Sequence, residues 1–267
     1  MEVLKKSDSS SLGFEEIKQI RSKLYTYLSF CNGALCGPLL LTGHECKGKT
    51  VWKSWNVGRI DPWKGHNTWF PVYQVDQAKQ VFQSYLLKTR DDRWDEALRK
   101  AIRWVVEAQN ASTEDMGIVH AQIGIELLAW VKFVEIDQAV SRDGFNKLPA
   151  VDRIQLLLSW AGIPADIPEE LEHLTRVVKA RQKTKGASRW ESGPAAIIEL
   201  RNSIAHPNLR DRTADIAGPA KYEVKQLAIW YLELLILRLL DYQGEVRNRW
   251  KHKWVGETEL VPWAPNL

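Results

Sequence analysis

Arg201, Asn202 and His206 are the residues of this chain whose types and spacing best suit them to chemistry. They fall in the run from Ala195 to Pro207, AAIIELRNSIAHP, an apolar segment that ends in a polar cluster and stops at a proline. A guanidinium stays charged at any physiological pH and presents a planar fork of donors that fits a phosphate. An imidazole titrates near neutrality and so gives or takes a proton at working pH. A phosphate holder beside a proton carrier is a minimal kit for cleaving RNA, because the ribose 2′-OH is an internal nucleophile and needs no metal. Asn202 adds a neutral donor and acceptor to orient either partner.

Positions five apart lie about 140° apart around an ideal helix, so Arg201 and His206 do not share a helical face. His206 precedes Pro207, however, and a residue before proline is pushed out of the α region. The helix is expected to end there and free the imidazole. A second copy of the chain about a two-fold axis would bring two such pairs into one cleft. On residue chemistry alone a plainer reading stands beside this one. Arg201 is then a cation favoured at a helix C-terminus, and His206 is a C-cap.

The pattern R-N-x-x-x-H occurs twice. Arg247, Asn248 and His252 repeat it in the tail EVRNRWKHKW, where Arg247, Arg249, Lys251, His252 and Lys253 interleave with Trp250 and Trp254. Cations bind backbone phosphate and aromatic faces stack bases, so Arg247, Arg249 and Lys251 are candidate RNA-binding residues. The alternative is a basic segment whose tryptophans fold onto the body of the protein. The first copy is favoured for catalysis because it ends an apolar helix and precedes a proline.

The segment ELRNSIAHP resembles the signature of the HEPN superfamily, helical domains with an R-x4–6-H motif and often a polar residue after the arginine. The flanking runs IQLLLSWAGI and IPEELEHL, the Gly-Pro before the motif helix, and the ends YQGEVRNRW and LVPWA are similar to bacterial members over roughly residues 95 to 265. The resemblance implies a metal-independent endoribonuclease with Arg201, Asn202 and His206 as its catalytic set and no cofactor or metal. It implies RNA as substrate, a homodimer, and a toxin–antitoxin or anti-phage setting with an antitoxin or other defence protein as partner. Other members have lost activity and bind nucleic acid or protein, which is the alternative.

The chain has 267 residues, enough for one large domain or two small ones. Hydrophobic content of 45% and charged content of 26% are those of an ordinary globular protein. The net charge of +4 permits a nucleic-acid partner without demanding one. Three cysteines make an odd count, and no apolar leader precedes them, so free thiols in a cytoplasmic setting are expected. Cys31, Cys36, His44 and Cys46 could be drawn as a zinc set, but no CxxC pair is present and small packed residues are the simpler reading. No membrane partner is expected. The apolar run Leu227 to Leu240 contains Glu233 and Arg238 and reads as a buried helix.

The elements that must position the motif follow from periodicity. Phe14 to Leu28 has helical spacing, although Tyr25, Tyr27 and Phe30 alternate as in a strand. Leu39 to Thr42, Val51 to Trp55 and Thr68 to Val75 carry strand signals between glycines and prolines. Gly43 to Thr50, GHECKGKT, matches the P-loop string, in which Lys49 and Thr50 would hold nucleotide phosphates and magnesium. That motif requires a helix starting at the Lys-Thr pair. The following VWKSW alternates like a strand, so a glycine-rich hairpin is predicted and an NTPase is the weaker alternative.

From Gln77 onward the pattern is helical: a short helix around Val81 to Leu86, then Trp94 to Ala108, Met116 to Val140, Pro149 to Ala161, Glu169 to Ala180, the motif helix, and Pro219 to Tyr242. Ser141 to Asn146 reads as a loop. Glu126, inside the apolar Met116 to Val140 run, is expected to be a core carboxylate satisfied by an arginine. Polar loops at Thr184 to Ser192, with Lys185 and Arg189, and at 208–217, with Arg210 and Arg212, flank the motif helix. The predicted fold is α+β: an N-terminal part with a small sheet or hairpins over residues 1–92, and a HEPN-like helical bundle with a basic C-terminal tail over residues 93–267.

Overall fold

The computed structural model describes residues 12–45, 47–55, 58–62, 67–71, 75–184, 190–206, 208–209, 213, 216–251, 254 and 256–265. The described residues form an α+β protein dominated by helices. The order is α1 (Phe14–Asn32), β1 (Thr42–His44), β2 (Thr50–Lys53), α2 (Val75–Lys88), α3 (Asp92–Gln109), α4 (Glu114–Trp130), α5 (Arg142–Lys147), α6 (Ala150–Ala161), α7 (Glu172–Lys183), α8 (Gly193–Ala205), α9 (Gly218–Leu239), β3 (Glu245–Val246) and β4 (Glu259–Leu260).

The long helices form where side-chain spacing and caps agree. Asp91 caps α3 by accepting from the backbone N–H groups of Arg93 and Trp94. Trp94, Leu98, Ala101, Ile102 and Val105 then bury one stripe of it. Thr113 caps α4 through the Met116 N–H. Past Trp130 the same helix widens into a π turn over Val131–Ile136, where the Asp137 N–H reaches the Lys132 carbonyl. The Glu114–Ile136 run is long and apolar enough to cross a membrane by length and composition, but 61% of its apolar window is buried in the protein.

α9 is the axis of the bundle. It contacts α3, α4, α6, α7 and α8, and from Val224 to Leu237 every side chain is buried. A helix enclosed on all sides reads as apolar all round, which is why its sequence shows little amphipathicity. α4 lies closely along it. A Cβ on Gly124 would come within 2.6 Å of Leu232 Cδ2 and 3.2 Å of Trp104 Cβ, so any larger residue there would push the buried Leu232 side chain aside.

The hairpin reading of GHECKGKT is correct. β1 and β2 pair antiparallel with Thr42 opposite Lys53, and Gly48 takes a φ of +82° in the turn. Lys49 and Thr50 lead into β2, and no helix starts there. Three expectations need correction. α1 continues as a helix to Asn32, closed by Gly33 in the left-handed region. The Thr68 to Val75 stretch is not a strand where described: Thr68 to Phe70 is irregular chain inserted into the core, with Trp69 at 0% exposure between Phe30 and Tyr242. The expected loop at Ser141 to Asn146 contains the short helix α5, capped by the Ser141 hydroxyl on the Gly144 N–H.

One hydrophobic cluster runs from Tyr27 to Val261. It draws Phe30, Trp69 and Tyr85 from the N-terminal part and the faces of α3, α4, α6, α8 and α9 from the rest.

Candidate functional site

α8 is anchored at both ends. At its start the Ser192 hydroxyl accepts from the Ala195 N–H, Pro194 occupies the first turn, and the Gly193 N–H donates to the Ala165 carbonyl at 2.8 Å. Ala196, Ile197, Leu200 and Ser203 form its buried face against α4, α6 and α9. A Cβ on Gly193 would collide with the Tyr231 hydroxyl, so glycine sets how closely α8 approaches α9.

The motif residues lie off this buried face. Arg201 and Asn202 are half-buried, and Arg201 Nη1 donates to Asn202 Oδ1 at 3.1 Å. His206 is the C-cap, with φ −121° and ψ 105°, the extended geometry expected before proline. Its N–H donates to the Asn202 carbonyl at 2.9 Å, and its carbonyl accepts from the Leu209 N–H at 2.8 Å. The His206 side chain is exposed. Arg201 and Asn202 are therefore joined by their side chains, and His206 is joined to Asn202 through the backbone. No side-chain hydrogen bond links Arg201 to His206 among the described residues.

Two hydroxyls that sequence reasoning passed over hold the chain beyond His206. Ser203 Oγ donates to the Leu200 carbonyl at 2.7 Å, and Thr213 Oγ1 donates to Ser203 Oγ at 2.6 Å. Both residues are buried, so Thr213 is pinned back onto α8.

The tail does something other than expected. Arg249 and Glu233 have side chains with no solvent exposure, and Arg249 Nη1 also donates to Gln109 Oε1 and Gln226 Oε1. Burial pushes the Glu233 carboxyl up, and the facing guanidinium pulls against that rise. Arg249 cannot reach a phosphate from this position, which corrects the expectation that it binds RNA. Arg247 is half-buried and its N–H donates to the Trp69 carbonyl at 2.8 Å. Lys251 is exposed, but lies 3.4 Å from Glu170 and 3.9 Å from Glu259. Asn248 is buried: its Oδ1 accepts from the Trp250 and Lys251 N–H groups, and its Nδ2 donates to Glu259. The second R-N-x-x-x-H thus builds a turn and a core anchor. The one sequence signal for this was a glutamate set in the apolar run of α9.

Glu126 is half-buried with Arg153 4.0 Å away, so its partner type is as expected while the fully buried carboxylate is Glu233. Cys31 and Cys36 are free thiols; burial pushes Cys31 up to about 12 and raises Cys36, so both environments disfavour the thiolate. The His44 ring is taken up within the hairpin by Thr42, Thr50 and the Gly48 carbonyl. Cys46, Lys185, Arg189, Pro207, Arg210, Arg212, His252 and Lys253 lie outside the described residues.

Comparison with known proteins places these features in a family. Residues 91–260 match the model of the YopA C-terminal domain, and residues 1–66 match that of the YopA central domain. The SPbeta prophage-derived uncharacterized protein YopA of Bacillus subtilis (strain 168) is 29% identical over 263 residues, covering 97% of this chain and 56% of that protein. The chain thus spans little more than half the length of this relative. No solved structure matches it. With its C-terminal match extending from the start of α3 to β4, the chain belongs to the YopA family.

Proposed function

We propose that this protein is a metal-independent endoribonuclease of the HEPN type. The observation that carries the reading is the end of α8: a buried helix face fixes the element, while Arg201 and Asn202 are half-buried together and the His206 ring is exposed at the cap. Neither group is sealed in the core. In the reaction the 2′-oxygen attacks phosphorus and the bond to the 5′-oxygen breaks, leaving a 2′,3′-cyclic phosphate. His206 takes the 2′-OH proton or delivers one to the leaving oxygen. Arg201 neutralises the charge that builds on the phosphorane oxygens. Asn202 holds the guanidinium in place through its Oδ1.

We read the site as assembled from two copies of the chain. An Arg201–Asn202 pair and a His206 ring would then come from facing subunits. The protein acts in the cytoplasm, in a toxin–antitoxin or anti-phage setting. The prophage origin that the Bacillus relative carries in its name supports that setting.

The test is RNA degradation in EDTA by the wild type against Arg201→Ala and His206→Ala. Loss in both, with cyclic phosphate ends from the wild type, is the expected result. Activity that survives both changes rejects the site. RNA binding without cleavage by the wild type would instead identify a non-catalytic HEPN binding module.

A further inference from the structure

Where α7 and α9 begin and the C-terminal tail crosses them, the surface opens into a cleft of about 630 Å³. This is within the roughly 300–1,000 Å³ of small-molecule sites. Gln226 lines it and is only 6% exposed. Its Oε1 is held by Arg249 Nη1 at 2.9 Å, while its amide nitrogen has no partner among the described residues. Trp250 also lines the cleft, and its buried indole Nε1 has no acceptor. Buried donors left unmatched are costly and uncommon. The Trp250 nitrogen is one such donor, and beside the free Gln226 amide, which is not itself sealed from water, it favours a ligand that brings acceptors.

The carboxylates at the cleft narrow the ligand further. Glu223 is spent on the His173 and Leu174 N–H groups, at 3.2 and 2.6 Å. Glu114 lies 3.0 Å from Lys225 Nζ and Glu170 lies 3.4 Å from Lys251 Nζ, and each carboxylate keeps further lone pairs for a donor. Paired with lysines in this way, the two carboxylates add little net charge, and their spare lone pairs accept ring N–H or amino groups. Tyr222 and Trp250 supply aromatic surface for a flat ring. A planar, uncharged heterocycle with acceptors beside N–H donors has the chemistry of a nucleobase.

We propose that this cleft receives a nucleobase, with Gln226 and Trp250 donating to its acceptors and the Glu114 or Glu170 carboxylate accepting from its donors. The base comes either from a free nucleoside or from a single RNA strand that splays it out. A strand is within reach of the α8 motif: Thr213 is tied to Ser203, and the five residue steps from Thr213 to Gly218 at the cleft span at most about 18 Å.

The experiment is calorimetric titration of the full chain with the four nucleosides and with 2′-O-methyl homopolymer hexanucleotides. The methylated strands cannot be cleaved, so the result stands whether or not the protein is a nuclease. Saturable binding of nucleosides identifies a soluble ligand, and binding of hexanucleotides alone identifies a base presented by a strand. Gln226→Glu keeps the acceptor for Arg249, removes the free donor and weakens binding about tenfold or more. Tyr222→Ala, at a residue 51% exposed and safe for folding, weakens it about tenfold. No saturable binding of any probe up to about 10 mM, or an affinity that neither variant reduces, overturns the proposal.

Discussion

Arg249 and Glu233 meet in the core with no solvent exposure on either side chain, Nη2 2.7 Å from Oε1 and Nε 2.8 Å from Oε2. The pair fastens the C-terminal tail to the central helix. Gln109 from α3 and the Trp69 N–H complete the shell around it, so four distant segments are tied at one point. Removing one partner leaves an uncompensated buried charge. Glu233→Ala or Arg249→Ala alone is expected to cost about 3–5 kcal/mol. The double change Glu233→Leu with Arg249→Met is expected to recover most of that loss. Urea denaturation of the three variants checks this; two single costs that simply add in a double mutant would rule out coupling.

At the α8 motif, Arg201→Ala and His206→Ala are each expected to lower RNA cleavage by about 10²–10⁴-fold. Their unfolding midpoints should stay near that of the wild type, because neither side chain lies in the core. Rate assays in EDTA alongside thermal melts separate a chemical effect from a folding one. Arg249→Lys offers a contrast, since a defect there should appear in the melt before it appears in the rate.

Thr213→Val removes the hydroxyl that ties position 213 to Ser203. The expected loss is about 1 kcal/mol, the size of one buried hydrogen bond. Thr213→Ser keeps the donor and should restore most of it. Equal stability of the valine and serine variants in denaturant titrations would show that the hydroxyl pair contributes nothing to the fold.

Asp91 gives a pH prediction. Hydrogen bonds from the Arg93 side chain, and then from the Arg93 and Trp94 N–H groups, hold its carboxyl down to about 2 from an ordinary 3.8. The folded state therefore favours the ionised form. The stabilisation is fully present above about pH 4 and is lost as pH falls through about 2. Asp91→Asn keeps an acceptor for the cap and removes the charge. The stability gap between wild type and variant should shrink steadily from pH 4 to pH 2 in urea melts. A gap constant with pH would mean that the charge contributes nothing to α3.

Much of this architecture was legible locally. The recurrence of apolar residues at three and four set α3, α6 and α9, because a helix repeats every 3.6 residues and buries one stripe or, at the centre, its whole circumference. The alternation after Lys49 separated a hairpin from a P-loop, since phosphate binding needs a helix start at that point. Pro207 announced where α8 ends and how His206 leaves it. Tertiary structure decided what no local period encodes: that Arg249 would enter the core and meet Glu233, that Trp69 would be carried by irregular chain instead of a strand, and that Gln226 and Trp250 would face one cleft. Arg249 and Gln109 are 140 residues apart, and Trp69 and Glu233 are 164 apart. Charge and aromaticity tell what such residues are able to do, but only packing decides whether water, a ligand or another side chain satisfies them.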